Sequence, residues 1–306
     1  MTLDSSAASF LQMLVDAGRP PLHESIPVDA RAGYDALAPF GGEGADVESV
    51  TETTIDGVPC HLVRPLEVST PPVLVWFHGG GWVIGSAEAS LAVCRDLAAA
   101  AGCAVVSVDY RLAPEHPAPA AVMDCTAVTK WVLEHGSEIG LDHRRVAVGG
   151  DSAGGNLSAL VALDLGEELC HQALVYPAVD LTISHPSIDE NAEGYLLTKA
   201  GMEWFVGHYL GGTGIEAGDA SVSPLAAPSA RMRHAATASV LVAGFDPLRD
   251  EGLAYATALS DAGVATQTKA FSGQIHGFFS YRMLIPEAEE AIDWVAQQLK
   301  DAFAQR

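Results

Sequence analysis

The residues Gly150-Asp151-Ser152-Ala153-Gly154 have the spacing G-x-S-x-G, with the apolar run "RRVAV" before them and a helix-compatible run after them. A serine in such a strand-to-helix turn sits in a strained backbone geometry. Its Oγ is aimed outward, at a helix N-terminus whose partial positive charge favours a developing anion. Gly150 and Gly154 remove the side chains that would clash there. A second glycine cluster, His78-Gly79-Gly80-Gly81-Trp82, follows "VLVWF". No Gly-Lys-Ser/Thr is present and neither cluster matches G-x-G-x-x-G, which disfavours a phosphate cradle. The alternative is an oxyanion site built from the N–H groups of Gly80 and Gly81, joined by that of Ala153. His78 reads as an anchor of this loop. An acid and a base complete the set: Asp246 in "GFDPLRDEG" follows "ASVLVA", and His276 in "SGQIHGF" follows "ATQTKAF". Asp246 precedes Pro247, so helix capping is its purely structural alternative. Asp250 is the rival acid, about one turn into the following helix. With Ser152 as nucleophile, His276 as base and Asp246 orienting it, the set describes acyl transfer.

These residues need a framework that delivers them to one place. From Pro72 onward, short apolar runs alternate with helical segments. The runs are "VLVWF", "CAVVSVD", "RRVAVGG", "ALVYPAV", "ASVLVAGFD" and "ATQTKAF". Helices are expected near 87–101, 120–135, 153–165, 249–262 and 287–303. Continuous apolar strands separated by helices predict a parallel sheet covered on both faces. An antiparallel hairpin, "VESVTETTI" and "VPCHLVRP" turning at Asp56-Gly57, opens the sheet. The pattern makes residues 46–306 one doubly wound α/β domain. Residues 1–45 precede it. They carry Phe10, Leu11, Leu14 and Val15 at helical spacing, then the breaker "GRPP", then a loop rich in Gly, Ala and Pro to about Gly44.

Residues 180–214 interrupt the alternation between two strands and are expected to form a small helical cap. Tyr195, Leu196, Trp204 and Phe205 of this segment, with Trp82, are expected to line an apolar pocket. In a parallel sheet ligands bind beyond the carboxyl ends of the strands. Every motif above follows a strand, in the chain order Ser, Asp, His.

Composition narrows the function classes. The chain has 306 residues, 49% of them apolar and 18% charged, enough for a sizeable core and against disorder. Its 39 acidic and 16 basic side chains leave a net charge of −23, which disfavours nucleic acid and anionic membranes as partners. Activity is expected to persist at high salt. No apolar run approaches the roughly 20 residues that span a bilayer. The N-terminus lacks the basic region of a signal peptide, so a cytoplasmic protein is expected. Cys60, Cys94, Cys103, Cys125 and Cys170 are scattered and never spaced C-x-x-C; buried free thiols are expected, and no metal site.

The set HGGGW, "DYRLAPEHPAPA", GDSAGGN, "ENAEGYLLT…WFVGHYL", GFDPLRDEG and HGF resembles the bacterial hormone-sensitive-lipase-like esterases, the family IV α/β-hydrolases. The likeness runs from about Ala45 to the end, and the helical start suits that family's N-terminal cap. "RHAATASVLVAGFD" departs from it by lacking a proline pair before the strand, which puts no site residue in doubt. The resemblance implies an α/β-hydrolase fold: a mostly parallel central sheet, helices on both faces and a helical cap. It also implies carboxylic-ester hydrolysis without a cofactor, on small-molecule esters of short chain, roughly C2–C6 on nitrophenyl esters. It carries the nucleophile to Ser152, the acid to Asp246, the base to His276, and the oxyanion donors to Gly80, Gly81 and Ala153. Arg111 and Glu115 become candidate ionic struts for the HGGG loop, and a homodimer through an edge strand becomes possible. An amidase or peptidase would use the same residues. A haloalkane dehalogenase would need a carboxylate where Ser152 stands, and a non-catalytic receptor would lack His276. Asp151 is left without a role.

Overall fold

A computed structural model describes residues 2–306. Its centre is one eight-stranded sheet: β1 (Ser49–Ile55), β2 (Val58–Arg64), β3 (Val73–Phe77), β4 (Ala104–Val108), β5 (Val146–Asp151), β6 (His171–Val175), β7 (Thr237–Phe245) and β8 (Thr266–Ile275). The spatial order is β1-β2-β4-β3-β5-β6-β7-β8. β1 and β2 are antiparallel, as are β2 and β4; every later pairing is parallel. The β1–β2 hairpin turns at Asp56 and Gly57, which both take positive φ (48° and 82°), as a two-residue hairpin turn of matching twist requires.

The helices are α1 (Ser5–Asp16), α2 (Pro27–Asp35), α3 (Leu91–Ala101), α4 (Ala120–His135), α5 (Ala153–Leu165), α6 (Pro186–Glu190), α7 (Lys199–Leu210), α8 (Ser229–Met232), α9 (Arg249–Asp261) and α10 (Glu287–Ala304). Apolar strand runs divide their side chains between the two faces. Val73, Val75 and Phe77 of β3 join the core under α4 and α5, while Leu74 and Trp76 join the core under α3 and α10. No helix among the described residues is long and apolar enough to cross a membrane.

Topology decides where a crevice opens. From β3 the chain passes through α3 on one face to β4. It then returns to β5 on the other side of β3 and leaves through α5 on the opposite face. The connections therefore diverge beyond the carboxyl ends of β3 and β5, the switch point where doubly wound sheets bind ligands.

Two expectations change in detail. The helix after β3 begins at Leu91, because 82–90 is spent on turns that lead out of the glycine loop. The segment expected to be loop up to Gly44 contains α2, which starts on Pro27 at its first turn and has Ala30 as its one buried residue. A nine-residue helix with so narrow an apolar face is stabilised by tertiary contacts, not by its own sequence. Arg31 supplies several of them: it donates to the carbonyls of Val83 and Ala113 (2.8 and 3.0 Å) and pairs in bidentate fashion with Glu115 (2.9 and 2.6 Å).

Over the carboxyl ends of the strands lie α1 and α2 on one side, and α6 and α7 from the β6–β7 connection on the other. α1 is seated by Phe10, whose ring meets that of Tyr281 at 4.8 Å. α7 is seated by Tyr209, stacked on Trp82 at 4.4 Å.

Candidate active site

Ser152 lies between β5 and α5 with φ 57° and ψ −117°, a conformation that L-residues other than glycine rarely adopt. The turn survives because its neighbours are bare. A Cβ on Gly154 would overlap the Phe77 carbonyl, and one on Gly150 would overlap the same oxygen. The main chain is tied down by Ser152 N–H donating to the Val175 carbonyl at 2.9 Å.

His276 and Asp246 arrive from the carboxyl ends of β8 and β7. His276 Nε2 is 2.9 Å from Ser152 Oγ, and Nδ1 is 2.8 Å from Asp246 Oδ2. Asp246 is fully enclosed, and its other oxygen accepts from Leu248 N–H at 2.8 Å. With this carboxylate ionised, Nδ1 carries the imidazole proton and Nε2 is free to accept from the serine hydroxyl. Asp250 takes no part in the chain. It accepts from Ser187 N–H (2.9 Å) and Arg249 Nε (2.8 Å), fastening α6 to α9, and Arg249 holds its carboxyl below the usual range against the opposing effect of burial. Tyr176, which the sequence did not single out, packs its ring on His276 at 4.6 Å.

The glycine loop crosses in front of Ser152. His78 anchors it: the ring stacks on Tyr110 at 4.2 Å, Nδ1 meets Gly79 O at 2.7 Å, and burial pushes its pKa down to about 4, which keeps it neutral. Gly80 takes φ 114° and its carbonyl accepts from the N–H groups of Val83 and Ile84 (3.1 and 2.9 Å). Gly81 takes φ 56°, and a Cβ there would enter the ring of Phe205 on α7. The N–H groups of Gly80, Gly81 and Ala153 find no acceptor among the described residues. Arg111 and Glu115 each form an ion pair, but with partners outside the glycine loop. Arg111 grips Asp124 of α4 through Nε and Nη2 (2.8 and 2.6 Å). Glu115 binds Arg31 of α2, which holds its carboxyl down at about 2.

A cavity of about 890 Å³ opens above Ser152, lined by Ser152, His276, Gly80, Gly81 and Ala153. Trp82, Tyr195, Leu196 and Phe205 line it as well. Trp204 does not: its side chain lies edge-on to Phe205 and His208 of its own helix, because the face of α7 that meets the cavity is the one carrying Met202, Phe205 and Val206. The opposite wall, from Leu11, Leu14, Leu22 and Tyr34, comes from the N-terminal helices. Leu11 and Leu14 carry a helical signal in the sequence, but nothing local says which way that helix faces. The five cysteines are free and buried.

Comparison with known proteins identifies the family. A family profile described as alpha/beta hydrolase fold matches residues 74–280, more than half of the chain. The chain is 43% identical over 244 residues to the carboxylic ester hydrolase LipN of Mycobacterium tuberculosis, a match spanning 76% of this chain and 64% of that protein. It is 34% identical over 319 residues to an ethyl acetate hydrolase of Pseudomonas putida, spanning 98% of this chain and 99% of that one. Among solved structures, an ester-hydrolase from the metagenome of Lake Arreo, complexed with a bipyridine phosphonate derivative, superposes with a TM-score of 0.94 at 36% identity, over 99% of this chain and all of that one. A thermostable esterase from Pseudomonas putida gives 0.92 at 35% identity, over 99% and 98%. The chain belongs to the bacterial family IV, hormone-sensitive-lipase-like esterases of the α/β-hydrolase superfamily, and is an enzyme of the carboxylesterase type.

Proposed function

We propose that this esterase cleaves neutral, short-chain carboxylic esters in two acyl-transfer steps. The observation that carries the reading is the continuous contact from Asp246 through His276 to Ser152, facing three unpaired N–H groups across one cavity. His276 Nε2 takes the proton of Ser152 Oγ as the oxygen attacks the ester carbonyl. Asp246 keeps the imidazole in the required tautomer and stabilises the imidazolium without becoming protonated. The tetrahedral oxyanion takes hydrogen bonds from Gly80, Gly81 and Ala153, donors of a kind whose single loss costs about 3–4 kcal/mol of transition-state stabilisation. The alcohol leaves with the proton from His276, and water repeats the sequence on the acyl-enzyme.

Residues 1–45 and 180–214 act as the cap over this site, with Trp82, Tyr195, Leu196 and Phe205 contacting the apolar part of the substrate. The cavity is within the range for small-molecule sites, roughly 300–1,000 Å³, and holds an aryl leaving group beside a short acyl chain. The name of the Pseudomonas putida relative, an ethyl acetate hydrolase, supports small neutral esters. Five cysteines kept free and buried fit a cytoplasmic setting.

A panel of nitrophenyl esters from C2 to C12, run beside Ser152→Ala, tests the reading. The optimum is expected at C2–C6, and the variant is expected to lose activity by at least ~10⁴-fold. A preference for C12 would overturn the substrate assignment; an active Ser152→Ala would overturn the mechanism.

A further inference from the structure

Asp151 takes no part in the steps above, yet it is buried at 8% exposure and sits one residue from Ser152. It ends β5, paired with Val175 of β6. On the other side Gly150 pairs with Phe77, the last residue of β3. β5 therefore runs one residue further than its neighbour, and the glycine loop leaves β3 alongside Asp151. There Gly79 N–H donates to Asp151 Oδ1 at 2.9 Å. A Cβ on Gly79 would overlap Asp151 Oδ2, so a side chain there would have to push the carboxylate out of its present place.

The other hydrogen bonds to the main chain of residues 78–82 hold carbonyls. His78 O accepts from Tyr110 O–H at 2.7 Å, Gly79 O meets His78 Nδ1, Gly80 O accepts from Val83 and Ile84, and Trp82 O accepts from Ala113 N–H at 2.8 Å. Of the three consecutive glycine N–H groups, Asp151 occupies the first and the other two are unpaired among the described residues. Without that acceptor, Gly79 N–H would be an unsatisfied buried donor, and its peptide plane would be free to turn and draw the next two with it.

Resting on the oxyanion assignment made above, we propose that Asp151 is a positioning residue: its carboxylate holds the glycine loop against the Ser152 turn, so that the Gly80 and Gly81 N–H groups alone face the reacting carbonyl. Burial pushes the Asp151 carboxyl up to about 6, against the lowering effect of Gly79 N–H and the His276 charge, so at neutral pH the acceptor is anionic and strong.

Three variants test this. Asp151→Asn keeps an oxygen that can accept from Gly79, whereas Asp151→Ala and the near-isosteric Asp151→Leu remove it. The Ala variant is expected to lose ~10–100-fold in kcat with KM within ~3-fold, less than outright loss of an oxyanion donor, and Asn is expected to stay within ~3-fold of wild type. Affinity for an aryl trifluoromethyl ketone, whose hemiketal oxygen occupies the oxyanion position, should fall in step with kcat, while affinity for the alcohol product should hold. Thermal melts screen for folding, and Leu replaces Ala if the latter melts below the assay temperature. An unchanged kcat, an unchanged ketone affinity, or an Asn variant as impaired as Ala would each overturn the proposal. If Ser152→Ala keeps wild-type activity, the acyl-transfer reading itself has failed and the positioning role falls with it.

Discussion

His171 opens β6 with its ring enclosed, Nδ1 at 2.8 Å from Thr237 Oγ1 and Nε2 at 2.8 Å from Ser239 Oγ. Burial lowers its pKa from 6.5 to about 4. An unfolded chain takes up the proton near 6.5 and the folded one only near 4. Between those values the unfolded state holds more protons, so stability falls as pH falls. With these two values the ring alone removes about 2 kcal/mol between pH 7 and pH 5. His78 acts in the same direction for the same reason. Asp151 acts in the opposite one, since its raised pKa makes the folded state bind the proton first as pH falls. The total is therefore a poor reporter, and a single-site difference is a good one. Urea denaturation followed by tryptophan fluorescence, at pH 7 and pH 5, compares wild type with His171→Gln. Whatever the variant costs at pH 7, wild type should lose about 2 kcal/mol more than the variant on going to pH 5. Parallel losses would refute a neutral imidazole held between two hydroxyls.

Gly81→Ala places a methyl group in the Phe205 ring at φ 56° and should lower kcat/KM by at least ~100-fold on an acetate ester; near-normal activity would mean that α7 does not close on the loop in this way. Arg31→Ala removes the ties from α2 to Val83, Ala113 and Glu115. A melting temperature lower by ~2–4 °C and a raised KM are expected, the ion pair being partly exposed and so weak by itself; an unchanged KM would separate α2 from substrate binding. The net charge of −23 leads to retained ester hydrolysis in molar NaCl, and inactivation there would count against a surface adapted to salt.

The parts of the protein that local spacing controls were legible in the sequence. A parallel-sheet strand must be apolar on both faces, and such runs mark β3, β4, β5 and β7 within a residue or two; the run Ala173–Val179 overshoots the end of β6 at Val175 by four residues, because the chain stays apolar where it turns away from the sheet. Helices bounded by glycine or proline, such as α4 and α5, were equally plain. The G-x-S-x-G turn was readable because its steric demand falls on residues two positions away, and a Cβ at Gly150 or Gly154 does meet Phe77. Contacts between distant segments could not be read. Position after the strand favoured Asp246 over Asp250 in the sequence, and the 2.8 Å approach of His276 Nδ1 to Asp246 is the contact the sequence could not display. α2 carried too narrow an apolar face to announce itself, since its ties run from Arg31 to Glu115, 84 residues away. Trp204 and Phe205 are adjacent aromatics, but a helix turns them about 100° apart, so only one reaches the cavity. Asp151 was opaque for the same reason: its partner, Gly79, lies 72 residues earlier. The sequence by itself determined the strand-and-turn chemistry, because that depends on neighbours along the chain. Tertiary structure alone decided which walls enclose the site and what Asp151 and Arg31 touch, because those contacts join segments tens of residues apart that meet only when the sheet and its caps pack together.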